Sequence, residues 1–459
     1  MDCTSEYIIL DILNESSVTN LSQDCCIYKI PEDLREQNKG AFAPHLISIG
    51  PIHHNNPKLK SMEQQKYLYF RYFRDKLSSD EDRQNLESYT AELEEGEEQL
   101  RKCYSEKYTH FEKNRFVRMM LLDAVFIMEL FLRKKEGQLD HDVPFKNSTI
   151  RKIVERDLIL LENQIPFYLL NTLFDHVVPT SRKNELACPT FLELARSYFE
   201  IYDPYDDKSV DEINTSNLLK QHWDRPKHFT DLIRYFMIPQ HLVQHSLPDE
   251  DGRHPIIKTA TKLKGVGIAF EKVSNKCLLD VQFKKGGHWN WLSHFGFLPK
   301  KFKARLLIPK LTVDYSTESV LRNLMAFEQY SYPNHHYVSS YVALITDLIH
   351  SKEDVDVMVE DKVIAHELGS DKELAQLINI LGKNTVLNSP FYDQVSRGLN
   401  KHCDRKINKT LGLLSSVYFP DLWGGTATAA AIIVLLFAIT NFVKNIINNN
   451  NNNNKPLSH

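Results

Sequence analysis

Four carboxylates stand where apolar neighbours alter their chemistry. Asp123 and Glu129 interrupt FVRMMLLDAVFIMELFLR (Phe116 to Arg133), and Asp157 and Glu162 lie in DLILLENQIPFYLL (Asp157 to Leu170). Desolvation raises a carboxyl pKa toward neutrality, where a general acid or base operates. The competing reading is a core in which Arg115, Arg118, Arg133 or Arg156 neutralises each charge and amides complete its hydrogen bonding. Glu129 and Arg133 are four residues apart and share one face of a helix. No nucleophile or metal set accompanies the four in sequence, so no catalytic residue is assigned. Asp123, Glu129, Arg133 and Asp157 are read as buried structural charges.

The centre of the second segment carries three adjacent polar residues, Glu162, Asn163 and Gln164, followed by Pro166. Pro166 has no amide to donate to the Glu162 carbonyl, and it pushes Ile165 away from helical angles. The spacing predicts a buried polar joint between two helices. Asn163 and Gln164 would satisfy the freed backbone, Glu162 would pair with a cation, and helix would resume with Pro166 at its first position.

Other chemistries find less support. GxSxG and HExxH are absent, Leu381-Gly382-Lys383-Asn384-Thr385 lacks the upstream glycine and Lys-Ser/Thr pair of a phosphate loop, and Gly265-Val266-Gly267 runs into a strand instead of opening a helix. His53-His54, His335-His336 and the His288/His294 pair have no cysteine or carboxylate at ligand spacing, so neither a metal nor a cofactor is expected. The segment from Lys284 to Arg305 interleaves bases with Trp289, Trp291, Phe295 and Phe297, a pattern suited to an anionic membrane surface or to a solvated loop.

The elements that must position these residues are mostly helices. Ser61-Met62-Glu63-Gln64 fits a capping box ahead of an aromatic-rich helix, Met62 to Leu77, and an acidic helical segment runs from Tyr89 to Tyr108. Short β-branched runs between Val266 and Val313 predict a small antiparallel β insertion, 266–313. Helices are expected again at Thr317–Tyr330, Tyr337–Ile349 and Lys352–Leu368, with Gly369 just beyond the last of these. Ser370 to Glu373 forms a second capping box.

The chain has 459 residues and a net charge of -4, so no cationic field favours nucleic acid as a partner. Seven sparse cysteines without ligand spacing argue against a disulfide framework, and the N-terminus lacks a secretory leader. Leu422 to Val443 carries no charge, and about 20 apolar residues cross a bilayer core of roughly 30 Å. The expectation is therefore one C-terminal transmembrane helix, 420–444, with Trp423 at its entry, Gly424 and Gly425 permitting close helix contact and a homodimer, and Lys444 at its exit. Membrane lipid is then a partner, and the bulk of the chain is cytosolic at the plasma membrane. The expected organisation is a flexible N-terminus, 1–24, a helical globular body, 25–410, the span, and a disordered Asn-rich tail, 445–459.

Several blocks in order carry a resemblance: IYKIPEDLREQNKGAFAPHLISIGPIHH, SMEQQKYLYF, MMLLDAVFIMELF, DLILLENQIPFYLL, LTVDYSTESVLRNLMAFEQ and the terminal span. From about Cys25 to Val443 the chain resembles the plant family called domain of unknown function 247, also known as uncharacterised protein family 0481. The resemblance implies a plant membrane protein with a helical cytosolic body. Some members are associated with pollen recognition in grasses, which implies a recognition or signalling role with a protein partner. One departure is the stretch KKGGHWNWLSHFGFLPKKFKARLL, where the family pattern has a short turn. The reading is a non-enzymatic recognition or signalling protein; the alternative is a membrane-tethered enzyme using buried carboxylates.

Overall fold

The computed structural model describes residues 22–203, 226–239, 255–274, 276–286, 303–383, 391–405, 434–435, 437–442 and 444. The central element follows from one sequence run. Helix α6 (Lys113–Lys135) is apolar around most of its circumference, so it is buried along nearly its whole length. Around it are set α3 (Lys60–Asp75), α4 (Asp80–Glu95), α5 (Glu97–Lys102), α8 (Phe167–Val177) and α10 (Phe191–Tyr198). Phe131 of α6 stacks on Tyr198 at 3.9 Å between ring centroids, and Phe199 and Phe229 add edge and tilted contacts.

A second layer begins with α7 (Ser148–Ile159). It packs against α11 (Phe229–Met237) and α13 (Thr317–Ser331), and α13 also holds the short α1–α2 pair (Glu32–Gln37, Lys39–Phe42) through α2. Beyond lie α14 (Tyr337–Leu348), α15 (Lys352–Glu360), α16 (Asp371–Gly382) and α17 (Asp393–Asp404). Helices α9 (Thr180–Glu185) and α12 (Ala260–Gly265) complete the described set. One apolar cluster runs from Cys26 to Cys403 and joins both layers.

The sheet differs from the expected antiparallel insertion. Strands β1 (Ile268–Val273), β2 (Gln282–Lys284) and β3 (Ala304–Pro309) have the order β1-β3-β2; β1 pairs parallel with β3, and β2 pairs antiparallel with it. Residues 276–281 cause this arrangement: Leu279 donates its amide to the Met237 carbonyl at 3.1 Å and is buried with Cys277. No tight hairpin therefore joins β1 to β2. A second parallel pair, β4 (Leu311–Val313) with β5 (Ile364–His366), breaks the helix expected to continue to Leu368. The chain turns at Lys362, with φ 60, before entering β5.

The expected transmembrane helix is also corrected. Among the described residues no helix is long and apolar enough to cross a membrane. Trp423, Gly424 and Gly425 lie outside the described residues, as do 1–21, 287–302 and 445–459, so the flexible N-terminus (except 22–24), most of the basic aromatic segment and the Asn-rich tail fall there.

Candidate functional site

The polar residues of DLILLENQIPFYLL close the end of α7. An α-helix leaves its last carbonyls without internal partners, and here each finds a donor. Asn163 Nδ2 donates to the Asp157 carbonyl at 2.8 Å, and Gln164 Nε2 donates to Leu158 and Leu160 at 2.6 and 2.8 Å. Thr230 Oγ1 donates to Ile159 at 2.8 Å. Pro166 is the N-cap of α8 and Phe167 its first residue, one position later than the spacing predicts. The Phe167 amide donates to the Lys227 carbonyl at 2.7 Å.

The same residues serve a distant strip of backbone, His45-Leu46-Ile47-Ser48-Ile49-Gly50. This strip is irregular although Ile47, Ser48, Ile49 and Gly50 are buried, so its amides need partners that no ladder supplies. Asp157 Oδ2 accepts from His45, Leu46 and Ile47 at 2.9, 2.7 and 3.2 Å. Asn163 Oδ1 accepts from Ile49 at 2.7 Å and Asp123 Oδ2 from Gly50 at 2.8 Å. Gly50 has φ 72, and an added Cβ would meet the Gln164 carbonyl oxygen at 2.5 Å, so both conformation and space demand glycine.

Each carboxylate also has a cation. Lys66 Nζ pairs with Asp123 at 2.6 Å and Glu63 at 2.7 Å, and donates to the Ser48 carbonyl. Burial raises the Asp123 carboxyl to about 6, against the opposing pull of Lys66. Arg156 pairs with Asp157 at 2.8 Å and reaches the Ala43 and Gly40 carbonyls and Ser319 Oγ. Burial still pushes Asp157 upward, opposed by those amides and by Arg156. Glu162 receives the Ile30 amide at 2.7 Å and Arg35, and faces His53 Nε2 at 3.2 Å. Desolvation acts upward on Glu162, but His53, the Ile30 amide and Arg35 outweigh it and hold the carboxyl below its usual range.

Glu129 is 3.5 Å from Arg133, and also meets Lys76 and Arg182 at 3.2 and 3.3 Å. Arg133 forks onto Asp142 with two bonds of 2.8 Å. Asp123, Asp157 and Glu162 gather around the 45–50 strip, whereas Glu129 and Arg133 belong to a separate network near the end of α6. Of the arginines named from sequence, Arg133 and Arg156 are partners; Lys66, Arg35 and Arg182 were not foreseen. Lysine at position 66 reads as a solvated helix residue, and only the distant Asp123 brings it inside. Asn323, which donates to Ala41 and accepts the Leu161 amide at 2.9 Å in each case, was missed as well, although its place in an apolar helical run is a signal that could have found it.

A cleft of about 430 Å³ lies elsewhere, where α7, α11, the ends of β1 and β3, and the start of α13 converge. Met237, Leu278, Leu311, Val320 and Leu321 contribute apolar wall. Four lysines line it. Lys152 pairs with Glu367 at 3.2 Å and Lys276 with Asp280 at 2.9 Å, while Lys272 and Lys310 have no ionic or hydrogen-bonded partner among the described residues. Asp314 in its lining is occupied with the amides and hydroxyls of Ser316 and Thr317. Among the described residues no group of three or more His, Cys, Asp or Glu side chains is placed to hold a metal.

The sequence profile of domain of unknown function 247, a plant protein of unknown function, matches residues 27–437, and the chain belongs to that family. It is similar to a UPF0481 protein of Arabidopsis thaliana, 25% identical over 429 residues, covering 91% of this chain and 85% of the relative. A putative UPF0481 protein of the same plant is 23% identical over 488 residues, with 89% and 88% covered. No solved structure matches the chain significantly.

Proposed function

We propose that this chain is a non-enzymatic recognition protein that receives an acidic, apolar-tipped segment of a protein partner in the cleft beside β1 and β3. The observation carrying the reading is an apolar wall beside two lysines whose ammonium groups have no partner among the described residues. Lys272 and Lys310 offer positive charge at the rim, and Met237, Leu311 and Leu321 offer a desolvated seat. Charge at a rim steers and selects, while an apolar anchor supplies affinity. Asp123, Glu129, Asp157 and Glu162, the groups suited to acid–base work, do not line this cleft; they hold backbone and cations in the core.

The test is proximity labelling with the full-length chain in plant tissue, comparing the wild type with Lys272→Glu/Lys310→Glu and reading partners by quantitative mass spectrometry. Specific partners should fall about tenfold or more in the charge-reversed variant, with unchanged circular dichroism, and a peptide from their acidic segment should compete. An identical set of partners at identical yield would sink the reading.

A further inference from the structure

Two buried cysteines from distant parts of the chain meet beside the polar joint. The Cys26 and Ile27 amides both donate to the Cys103 carbonyl at 2.9 Å, and the Ser105 amide donates to the Ile27 carbonyl at 2.9 Å. Ile27 and Tyr104 thus form an isolated parallel bridge, and this backbone pairing fixes Cys26 against Cys103. The Cys103 thiol itself donates to the Gln99 carbonyl at 3.8 Å. Adjacent backbones so bonded stand at about the separation that a disulfide spans.

We propose that Cys26 and Cys103 form a peroxide-sensitive dithiol pair, with Cys103 as the reacting sulfur and Cys26 as the resolving thiol. Of the two protonation states the thiolate is the nucleophile. The Cys26 hydrogen bond lowers the Cys103 thiol, against the upward effect of burial, with Tyr168 assisting. Neighbouring Cys25 is pushed by burial up to about 11. Nearby, Tyr168 is 43% exposed and lines a hollow of about 120 Å³ with Tyr89, Leu93 and Leu100. Both cysteines are within a few per cent of full burial, so the oxidant must be small, and hydrogen peroxide is the class that fits.

The chemistry balances in two steps. The Cys103 thiolate attacks one peroxide oxygen, the O–O bond breaks, and the departing hydroxide takes a proton to leave as water, giving a sulfenic acid. The Cys26 sulfur then attacks that sulfur; an S–S bond forms, the S–O bond breaks, and a second water leaves. Two thiols lose two electrons and two protons, and one peroxide becomes two waters. The product ties the segment carrying Ile30, which donates to Glu162, to the end of α5.

The experiment treats the reduced full-length chain with hydrogen peroxide, blocks remaining thiols with N-ethylmaleimide, and maps linked peptides by mass spectrometry. A Cys26–Cys103 crosslink should be the main product. In Cys26→Ser, Cys103 should instead carry a sulfenic acid trapped by dimedone. In Tyr168→Phe, which leaves both thiols in place and does not depend on folding of the serine variant, Cys103 should react several-fold more slowly with the maleimide. Recovery of both cysteines unoxidised while others react, or a Cys25–Cys103 link in place of the expected one, would overturn the assignment.

Discussion

Asn163 satisfies three backbone groups at once: the Ile49 amide and the Ile47 and Asp157 carbonyls, at 2.7, 3.0 and 2.8 Å. Asn163→Ala leaves all three unpaired in a dry core, and at about 1–3 kcal/mol for each orphaned group the loss is expected to reach ~3 kcal/mol or more. Urea denaturation measures it, and an unchanged midpoint would mean that the three groups find other partners. Lys66→Met makes a second residue-scale test, because it leaves Asp123 buried without its ammonium partner, at a cost of about 3–5 kcal/mol. The sign of its pH dependence follows from Asp123. A folded pKa of about 6 above an unfolded 3.8 means that the native state holds the proton longer, so stability falls as pH rises through that interval. Removing Lys66 extends the interval upward, so the variant should lie nearest to wild type in acid and fall away from it above about pH 6. At this scale the sequence displays the polar triplet and the proline plainly. It does not display their partners: HLISIG has no periodicity and no turn signal, and its amides are bonded by residues 73 to 114 positions away.

The elements were legible where pattern and chemistry were local. The long α6, the aromatic α3 and the Ser370 cap of α16 follow from runs and spacings within a few residues, and Ser370 Oγ does accept from Glu373 at 3.3 Å. The capping box expected at Ser61 does not form, because a 3-10 turn from Pro57 to Leu59, capped by Asn56, has already started the helix at Lys60. The box that does form at α4, Ser79 with Asp82, escaped because aspartate replaces the usual Glu or Gln at its third position. Helix α11 is capped by a histidine: His228 Nδ1 accepts the Asp231 amide at 3.3 Å, which places the ring proton on Nε2, facing the Cys26 carbonyl at 2.9 Å. Burial lowers its pKa from 6.5 to about 3. The unfolded chain therefore takes up a proton that the folded one refuses, and stability falls as pH drops from about 6.5 toward 3, with a slope of at most ~1.4 kcal/mol per pH unit. His228→Ala should lose this slope and be about 1–3 kcal/mol less stable near neutrality; acid titration of the unfolding free energy separates the two effects. A variant retaining the full slope would assign the titration to another group.

At the scale of the whole molecule, the two helical layers are joined by side chains that bond backbone across the joint, so the irregular 45–50 strip is bound as firmly as a central strand. Native-state hydrogen exchange tests this: the amides of Leu46, Ile47, Ile49 and Gly50 should exchange about as slowly as those in the middle of α6, through global opening. Fast exchange at these four would show that the strip opens by itself. The β topology was not legible because β3 takes its place between β1 and β2 through packing of residues 276–281, and β4 pairs with a three-residue strand hidden between two helices. The strip also has a temporal consequence. Ile47 is synthesised 110 residues before Asp157, and at about 5–20 residues per second its greasy backbone waits roughly 5–20 s for the side chains that will receive it. For that interval the N-terminal portion cannot complete its core, which leaves apolar surface uncovered on the emerging chain until the joint has left the ribosome.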